Sequence, residues 1–395
     1  MEGNNKKETY RWTILTIVYL SILAFTFIFQ SIPPILPLII SDLRINYAQS
    51  GLLMGLFALP GLFISLPGGF LSDRYRIRPL GIFCFLLMLV GSLLVGLGRD
   101  LRALWWGRFI SGMGGLTLSV LLPKMISQWF RERDLGFAMG IFNTGVPLGS
   151  VICFGLFGGI GNGWGWRIPI LFTVLYTLTV SILFITLYRT PSLQPLEGRK
   201  SSGLYKSLKE MGWPIWWVGF SWLWFNAAFV SFATFAPQIF LAKGFTLEQS
   251  GILIGIPLLG SLFLSPPVGY MVDRFRHQEW VIGIGATALT LLAFSFHFSS
   301  SFFTLVILMA IFSAMIPSPI YSLPPEILKP ENVGLGFGVI STCSSFGLFF
   351  APSLAGKIKD LTESDDSTLI LVSIFFFLTL FSILLFHRLR NKNHS

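Results

Sequence analysis

Arg108 is the residue whose type and position most clearly suggest chemistry. It stands within a charge-poor, apolar run at 103–128, and a charge inside such a run costs about 2.5–3.5 kcal/mol on membrane-insertion scales. Small residues follow it at helical spacing and share its face: Ser111, Gly112, Gly115 and Ser119. We therefore predict that this face borders a water-filled cavity, in which Arg108 binds or couples a solute. The alternative is a structural arginine that bonds loop carbonyls or extends outward.

Acidic side chains are missing from the middle of every apolar run. All 18 Asp and Glu residues lie near the ends of such runs or between them, and none of the four His residues lies in the middle of one. Binding a cation, or carrying a proton on a buried carboxylate, normally requires an acid inside the membrane. An anionic substrate is therefore favoured over a cationic one, and a simple carboxylate proton relay is disfavoured.

Signatures of enzymes and cofactor sites are absent from the sequence. It contains no nucleotide-binding GxxxxGK[ST], no metal-binding HExxH or CxxC and no hydrolase GxSxG. The three cysteines lie far apart in apolar runs and are interpreted as small core residues. We therefore expect no enzyme activity, no cofactor and no metal site.

The composition is typical of a membrane protein. Of 395 residues, 53% are apolar and 12% are charged, whereas a soluble domain carries about 25% charged residues. An ordinary cytosolic enzyme and a disordered protein are thereby excluded. Twelve runs are long enough to cross a bilayer as helices: about 12–40, 47–71, 80–98, 103–128, 135–158, 166–188, 213–241, 250–272, 280–297, 302–323, 333–355 and 368–386.

The two halves of the chain repeat each other at an offset of 200 residues. The sequence Asp-Arg-x-Arg ends the segment 50–76 and recurs at the end of 250–276, and nearly half of the positions in these segments are identical without a gap. Leu-Gly-Phe at 135–137 likewise recurs at 335–337. This repetition indicates a duplication. The sequence therefore predicts an all-α membrane protein with twelve transmembrane helices in two pseudo-symmetric six-helix bundles.

Charge placement predicts the orientation in the membrane. If the N-terminus is inside, the inner segments carry 19 of the 28 Lys and Arg residues and the outer segments carry 7. This asymmetry places both termini in the cytoplasm, in a multi-pass protein of the plasma (inner) membrane. We expect an N-terminal six-helix half at 1–188, a basic cytoplasmic linker at 189–212 and a C-terminal half at 213–395.

Residues 69–78 resemble the loop signature of the major facilitator superfamily, G-x-L-x-D-R-x-G-R-R. The matching residues are Gly69, Leu71, Asp73, Arg74 and Arg78, and the chain departs from the signature at Arg76 and Ile77. The segment Arg108–Gly114 is similar to the fourth-helix signature of that superfamily, R-x-x-x-G-x-G. The resemblance spans the whole chain. It implies a secondary transporter that works by rocker-switch alternating access, with helices 1, 4, 7 and 10 lining the cavity.

Three stretches are similar to prokaryotic porters of the cyanate and nitrate/nitrite groups: 128–136, 163–167 and 323–326. The nitrate group carries one arginine inside the second helix and another inside the eighth. This sequence has none in 47–71 or 250–272, which argues against nitrate as the substrate.

The charged loop residues are candidates for a cytoplasmic gate. A carboxylate is stabilised by the positive N-terminal end of a helix, and pseudo-symmetry predicts that Asp73 approaches the eleventh helix near Gly336. Asp273 is expected to approach the fifth helix near Gly136. The other predicted gating residues are basic side chains and two acids with which they could pair. They are Arg74, Arg76, Arg78, Arg274, Glu132 and Asp134. The alternative is that these charges only set the topology.

Helix-breaking residues mark further candidates for the walls of the site. Breaks are expected at 30–34, 143–149 and 226–237. The neutral hydrogen-bonding candidates are Gln30, Asn143, Asn226, Ser318 and Tyr321, and Trp222 and Trp224 are candidates for aromatic walls. For each residue the alternative is helix–helix packing, because small polar side chains also join membrane helices.

Together these features predict a secondary transporter of a small organic or inorganic anion. The alternative is a multidrug or metabolite efflux transporter of the same superfamily with an aromatic-rich cavity. The expected partners are the small-molecule substrate, the lipid bilayer and a coupling proton, ion or counter-substrate. We expect a monomer that binds no nucleic acid.

Overall fold

The computed structural model describes residues 2–64, 77–130, 135–189, 209–275, 277–299, 301–329 and 332–392. The α-helices whose bounds lie within these ranges follow one another along the chain. They are α1 (Glu2–Gln30), α2 (Leu36–Leu43), α3 (Tyr47–Gly55), α4 (Ile77–Leu97), α5 (Leu101–Trp129), α6 (Leu135–Asn143), α7 (Gly145–Ile152), α8 (Gly158–Trp164), α9 (Arg167–Leu187), α10 (Pro214–Ala242), α11 (Leu247–Phe275), α12 (Gln278–Ser295), α13 (Phe302–Ser313), α14 (Pro317–Ile327), α15 (Val333–Thr362) and α16 (Asp365–Lys392).

Eleven helical segments in the described part of the chain are long and apolar enough to cross a membrane. They correspond to the first predicted span and to the third through the twelfth. The second predicted span, 47–71, begins as α3, and residues 65–76 lie outside the description. The predicted all-helical membrane architecture is confirmed.

Two of the predicted breaks are present and one is not. In the first span, α1 ends at Gln30 and α2 begins at Leu36. The helix is broken between them because Pro33 and Pro34 lack the amide hydrogen that a continuing helix needs. The fifth span breaks at Thr144 and contains a π-helical turn at Cys153–Phe157. The break expected in 226–237 is wrong, since α10 runs through Pro237 without interruption. A membrane helix commonly tolerates such a proline because neighbouring helices satisfy the backbone group that the proline leaves without a partner.

The duplication is visible in the packing of equivalent residues. The rings of Phe25 and Phe29 lie 6.1 Å apart, and so do those of Phe225 and Phe229. The second and eighth spans also start alike. Asn46 and Gln49 form a reciprocal capping box at the start of α3, and residues 246 and 249 repeat it at α11.

The halves touch along two seams at the same end of the molecule. In the first seam, α3 packs against α15, and Gly51 lies so close to the carbonyl of Pro352 that no Cβ would fit. In the second seam, residues 145–164 pack against α11, and Gly251 meets the carbonyl of Phe154 in the same way. Glycine is required at both positions because backbone approaches backbone. We call this end of the molecule the seam end.

Candidate functional site

Arg108 is buried on α5, with 1% of its side chain exposed. Its Nη1 donates a hydrogen bond to the carbonyl of Ile28 at 2.7 Å and its Nη2 donates to that of Phe29 at 3.2 Å. Its Nε donates to the carbonyl of Leu53 at 3.2 Å, and the guanidinium lies 4.6 Å from the ring centre of Phe57. The side chain therefore joins three spans within the N-terminal half.

The carbonyls that Arg108 binds lie where other helices end. Pro33 stands four residues after Phe29 and has no amide hydrogen, so it cannot donate to the Phe29 carbonyl as a continuing helix would. Leu53 lies two residues before α3 ends at Gly55. Buried carbonyl groups require partners. Arg108 supplies them and holds the break in the first span against the end of α3.

The small residues that share the face of Arg108 pack against neighbouring spans in the described part of the chain. A Cβ at Gly112 would overlap the backbone of Phe57, and one at Gly115 would lie 2.9 Å from the ring of Phe25. The small residues on this face therefore allow close packing. The predicted alternative, a structural arginine bonded to carbonyls, describes the observed contacts. A role of Arg108 in binding or coupling stays a prediction.

A small cavity adjoins Arg108. It has room for about one water molecule. Besides Arg108 it is lined by Ile28, Ser31, Ser92, Val95, Ser111, Ile170 and Thr173. The Ser92 hydroxyl is buried and has no hydrogen-bond partner in the described part of the chain.

The charge of Arg108 is not neutralised by its contacts. Its three acceptors are neutral carbonyls. Within the eleven spans, each acid of the described ranges lies within two residues of a span end. Burial of a cation without a carboxylate is costly, so this part of the molecule carries a positive potential that an anion would relieve.

The other predicted polar residues of the N-terminal half lie near the break in the fifth span. Gln30 donates from Nε2 to the hydroxyl of Ser150 at 3.3 Å, which joins the end of α1 to α7. Asn143 ends α6 and is exposed. The sequence analysis missed Tyr19, whose hydroxyl lies 3.1 Å from that of Thr144.

In the C-terminal half, Tyr321 lies among three helices and is still 43% exposed. Its ring centre lies 5.3 Å from that of Trp222 on α10 and 6.1 Å from that of Phe337 on α15. Tyr321 therefore lies where α10, α14 and α15 meet, and its role as a wall of the site stays a prediction.

Asn226 and Ser318 lie on the same two helices as this aromatic pair. Asn226 donates from Nδ2 to the carbonyl of Trp222 at 2.7 Å, which leaves its amide oxygen as an acceptor. Ser318 is half-buried near the start of α14. Trp224 differs, because it packs against Phe350 and Phe375 on α15 and α16. Its packing fits the helix-packing alternative better than a wall of the site.

Most of the predicted cytoplasmic gate lies outside the described residues: Asp73, Arg74, Arg76, Glu132 and Asp134. The side chains of Asp273 and Arg274 and the surroundings of Gly136 are also outside the description. Arg78 donates from Nη2 to the carbonyl of Ile185 at 2.7 Å. Gly336 packs against Leu328 and Ile215 within the C-terminal half.

Trp166 and Arg167, in the sequence stretch 163–167, form a cluster with Asp42. Asp42 accepts hydrogen bonds from Trp166 Nε1 at 2.8 Å and from Arg167 Nη1 at 3.1 Å. Arg167 also donates to the carbonyl of Gly98 at 3.2 Å. The Trp-Arg pair of residues 163–167 therefore clamps three spans of the N-terminal half at the seam end.

The described ranges contain no group of three His, Cys, Asp or Glu side chains that could hold a metal ion. The three cysteines are buried and separate. The candidate residues in the described ranges are therefore hydrogen-bonding and aromatic groups of both halves, together with the buried Arg108 of the N-terminal half.

Comparison with known sequences gives relatives across the whole chain. The chain is 25% identical to a probable nitrate transporter, NarT, of Staphylococcus epidermidis, over 94% of this chain and 93% of that protein. It is 25% identical to a probable nitrate/nitrite antiporter, NarK1, of Thermus thermophilus (94% and 91%). It is 23% identical to a lysosomal dipeptide transporter, MFSD1, of Danio rerio (88% and 81%).

Comparison with solved structures and with family profiles agrees with the sequence relatives. A bacterial homologue of the human lysosomal transporter Spinster superposes with a TM-score of 0.81 at 18% identity, covering 96% of this chain and 97% of that one. At this identity the likeness concerns the fold. The profile described as Major Facilitator Superfamily matches residues 18–256 and 227–394. The chain therefore belongs to the major facilitator superfamily of membrane transporters.

Proposed function

We propose that this protein is a secondary transporter of a small anion. The observation that carries the proposal is the buried charge of Arg108, which is bonded to neutral carbonyls. The acids of the described spans all lie at span ends. Charges interact more strongly in a low-dielectric interior than in water. An anion that enters beside the break in the first span therefore gains Coulomb energy, and a cation loses it.

The relatives support an anion without identifying it. Two of them are named for nitrate, which makes nitrate the first anion to test. The absence of arginine from 47–71 and 250–272 still favours a different anion, such as a carboxylate. The dipeptide relative adds a zwitterion to the test. None of these names favours the multidrug alternative.

The proposed site combines groups from both halves. Gln30 and Asn143 from the N-terminal half, and Asn226, Ser318 and Tyr321 from the C-terminal half, would supply neutral hydrogen bonds. Trp222 would form an aromatic wall. Arg108 would set the sign of the potential from behind the break. Transport would follow the rocker-switch motion of the halves at 1–188 and 213–395 about the linker at 189–212.

The proposed orientation places the seam end outside, since it places both termini in the cytoplasm. The seams would then close the outer side, and the site would open inward. Asp73, Asp273 and the basic residues near them would close the cytoplasmic side in the opposite state. We further propose a monomer in the plasma (inner) membrane that couples transport to a proton, an ion or a counter-substrate.

The test is uptake into proteoliposomes of labelled nitrate, nitrite, a hexuronate and a dipeptide. We expect uptake of at least one anion, and we expect Arg108→Gln to reduce it at least tenfold. Arg108→Lys keeps the charge but cannot reach three carbonyls, so it should retain more uptake than Arg108→Gln. Arg102→Gln removes an exposed arginine from the same helix and serves as the control.

Two results would overturn the proposed role of the charge. One is unchanged anion uptake by Arg108→Gln. The other is an equal loss in the Gln and Lys variants when both elute as monodisperse, folded protein, because the carbonyl contacts alone would then explain the effect. Uptake of the dipeptide without any anion would refute the substrate class.

A further inference from the structure

The first seam contains a carboxylate that binds the end of a helix in the other half. Asp360 lies near the end of α15, and its Oδ1 accepts a hydrogen bond from the backbone amide of Tyr47 at 2.9 Å. Its Oδ2 accepts from the amide of Ala48 at 2.8 Å. These amides are the first two of α3. The first amides of a helix have no partner within it, and a negative charge there is stabilised by the helix dipole.

This contact completes a cap that α3 cannot complete by itself. The side chain of Asn46 accepts from the amide of Gln49, the third residue of α3. The first two amides depend on Asp360, which lies more than 300 residues away in the other half. The cap therefore exists only while the two halves touch at the seam end.

A second residue next to Asp360 strengthens the same seam. The ammonium group of Lys359 lies 4.1 Å from the ring centre of Tyr47 and pairs with Asp365 at the start of α16. Lys359 is 5% exposed, and a cation–π contact is stronger when it is shielded from water. Tyr47 also packs against Phe235 of the C-terminal half, with ring centres 6.2 Å apart.

The second seam lacks such a carboxylate although its helix begins in the same way. The capping box at the start of α3 recurs at residues 246 and 249. The positions equivalent to Lys359 and Asp360 are Gly159 and Ile160. Gly158 packs against Leu247 there, and close packing joins that seam. The duplicated halves therefore differ at this point.

We propose that Asp360, assisted by Lys359, is a latch that holds the seam end closed by capping α3 across the two halves. The latch rests on the alternating access proposed above, because that motion requires the seam to separate. When it separates, Asp360 and both amides exchange their mutual bonds for water. The latch therefore sets the ratio of seam-closed to seam-open molecules and acts as a positioning device, without contacting the substrate.

The experiment measures that ratio by the distance between two spin labels. Cysteines replace Arg99 and Phe298, which are exposed in loops of opposite halves at the seam end. Asp360→Asn keeps the size of the side chain and removes its charge. We expect it to raise the open-to-closed ratio about tenfold, as the loss of a helix cap of about 1.4 kcal/mol would. Asp360→Glu keeps the charge and should lie between Asp360→Asn and the unmodified chain.

Asp366→Asn is the matched control. It removes a carboxylate at the same end that pairs with His297 within the C-terminal half, at 3.0 Å. The latch predicts no change in this variant. A distance distribution in Asp360→Asn equal to that of the unmodified chain would overturn the latch, and so would equal shifts in both Asn variants. The labels need no substrate, so the latch can fail while anion uptake succeeds, and the reverse.

Discussion

The sharpest prediction concerns Gly51, at the centre of the first seam. A Cβ at this position would overlap the carbonyl oxygen of Pro352 and lie 2.8 Å from the backbone nitrogen of Ser353, whereas an ordinary contact needs at least 3.4 Å. Both neighbours belong to the backbone of α15, so no side-chain rotation relieves the overlap. Gly51→Ala therefore requires α3 and α15 to move apart by about 1.4 Å before the Cβ makes an ordinary contact with that oxygen.

The cost of this movement falls on the closed state alone. Overpacking of a tight contact costs about 1–3 kcal/mol, which corresponds to a change of roughly 5- to 150-fold in an equilibrium constant. The same variant exchanges a helical glycine for alanine, which stabilises a helix by about 0.5–1 kcal/mol in either state. We therefore expect Gly51→Ala to increase the fraction of molecules in the seam-open state. We do not expect it to lower the thermal stability of α3.

The assay is labelling of a cysteine introduced at Ala48 with a membrane-impermeant maleimide, in a chain whose Cys84, Cys153 and Cys343 are replaced by serine. Gly51→Ala should raise the labelling rate at least fivefold. The control is Gly255→Ala, because a Cβ at Gly255 would meet no atom within 4 Å. Its labelling rate should equal that of the unmodified chain. An unchanged rate in Gly51→Ala would refute the close contact of the two backbones, and an equal rise in both variants would show that added helix propensity causes the effect.

Two further predictions concern stability in detergent. Asp42→Asn should lower the Tm by about 1–2 °C, because it weakens the bonds to Trp166 and Arg167. The charged groups of Asp42 and Arg167 are each more than a third exposed, so their ion pair contributes at most about 1 kcal/mol. An unchanged Tm would show that these bonds add nothing to the stability. Ser92→Ala should leave the Tm unchanged or raise it, because it removes a buried hydroxyl without a protein partner in the described ranges, and a clear fall would show that this hydroxyl is bonded to water.

The helices could be predicted from the sequence because the hydropathy of a segment depends only on its own residues. Long apolar runs must satisfy their backbone groups internally, and only helices do so within one segment. The duplication could also be predicted, because matching residues recur in the sequence at an offset of 200 residues. The unbroken α10 was predicted wrongly because a proline inside a membrane helix costs only the bond to the carbonyl four residues earlier, and groups of neighbouring helices can satisfy that carbonyl.

The contacts of Arg108 were harder to predict than its importance. Its charge within an apolar run is a local signal, but its partners are carbonyls, and every residue carries one. One of these carbonyls, that of Phe29, lacks a helical partner because Pro33 follows four residues later, and it meets Arg108 through the packing of α1 against α5. The small residues beside Arg108 fit both a cavity and close packing, and the fold decided between them.

The cap on α3 was not predictable from sequence. Asp360 resembles any other acid at the end of an apolar run, and the capping box of α3 looks complete. The missing partners of the first two amides become visible only when both halves are placed together.

The burial of Arg108 has an electrical consequence. The equivalent position of the second half is Leu308, so in the proposed motion the N-terminal half would carry the charge of Arg108 through the membrane field and no equivalent charge would oppose it. A full elementary charge that crosses 100 mV exchanges about 2.3 kcal/mol with that field, and a partial displacement exchanges the same fraction. In an empty carrier the charge of Arg108 would therefore move uncompensated by substrate, whereas a monovalent anion that moved with it would offset that charge. Membrane voltage would then act on the return step of the cycle and leave the loaded step almost untouched.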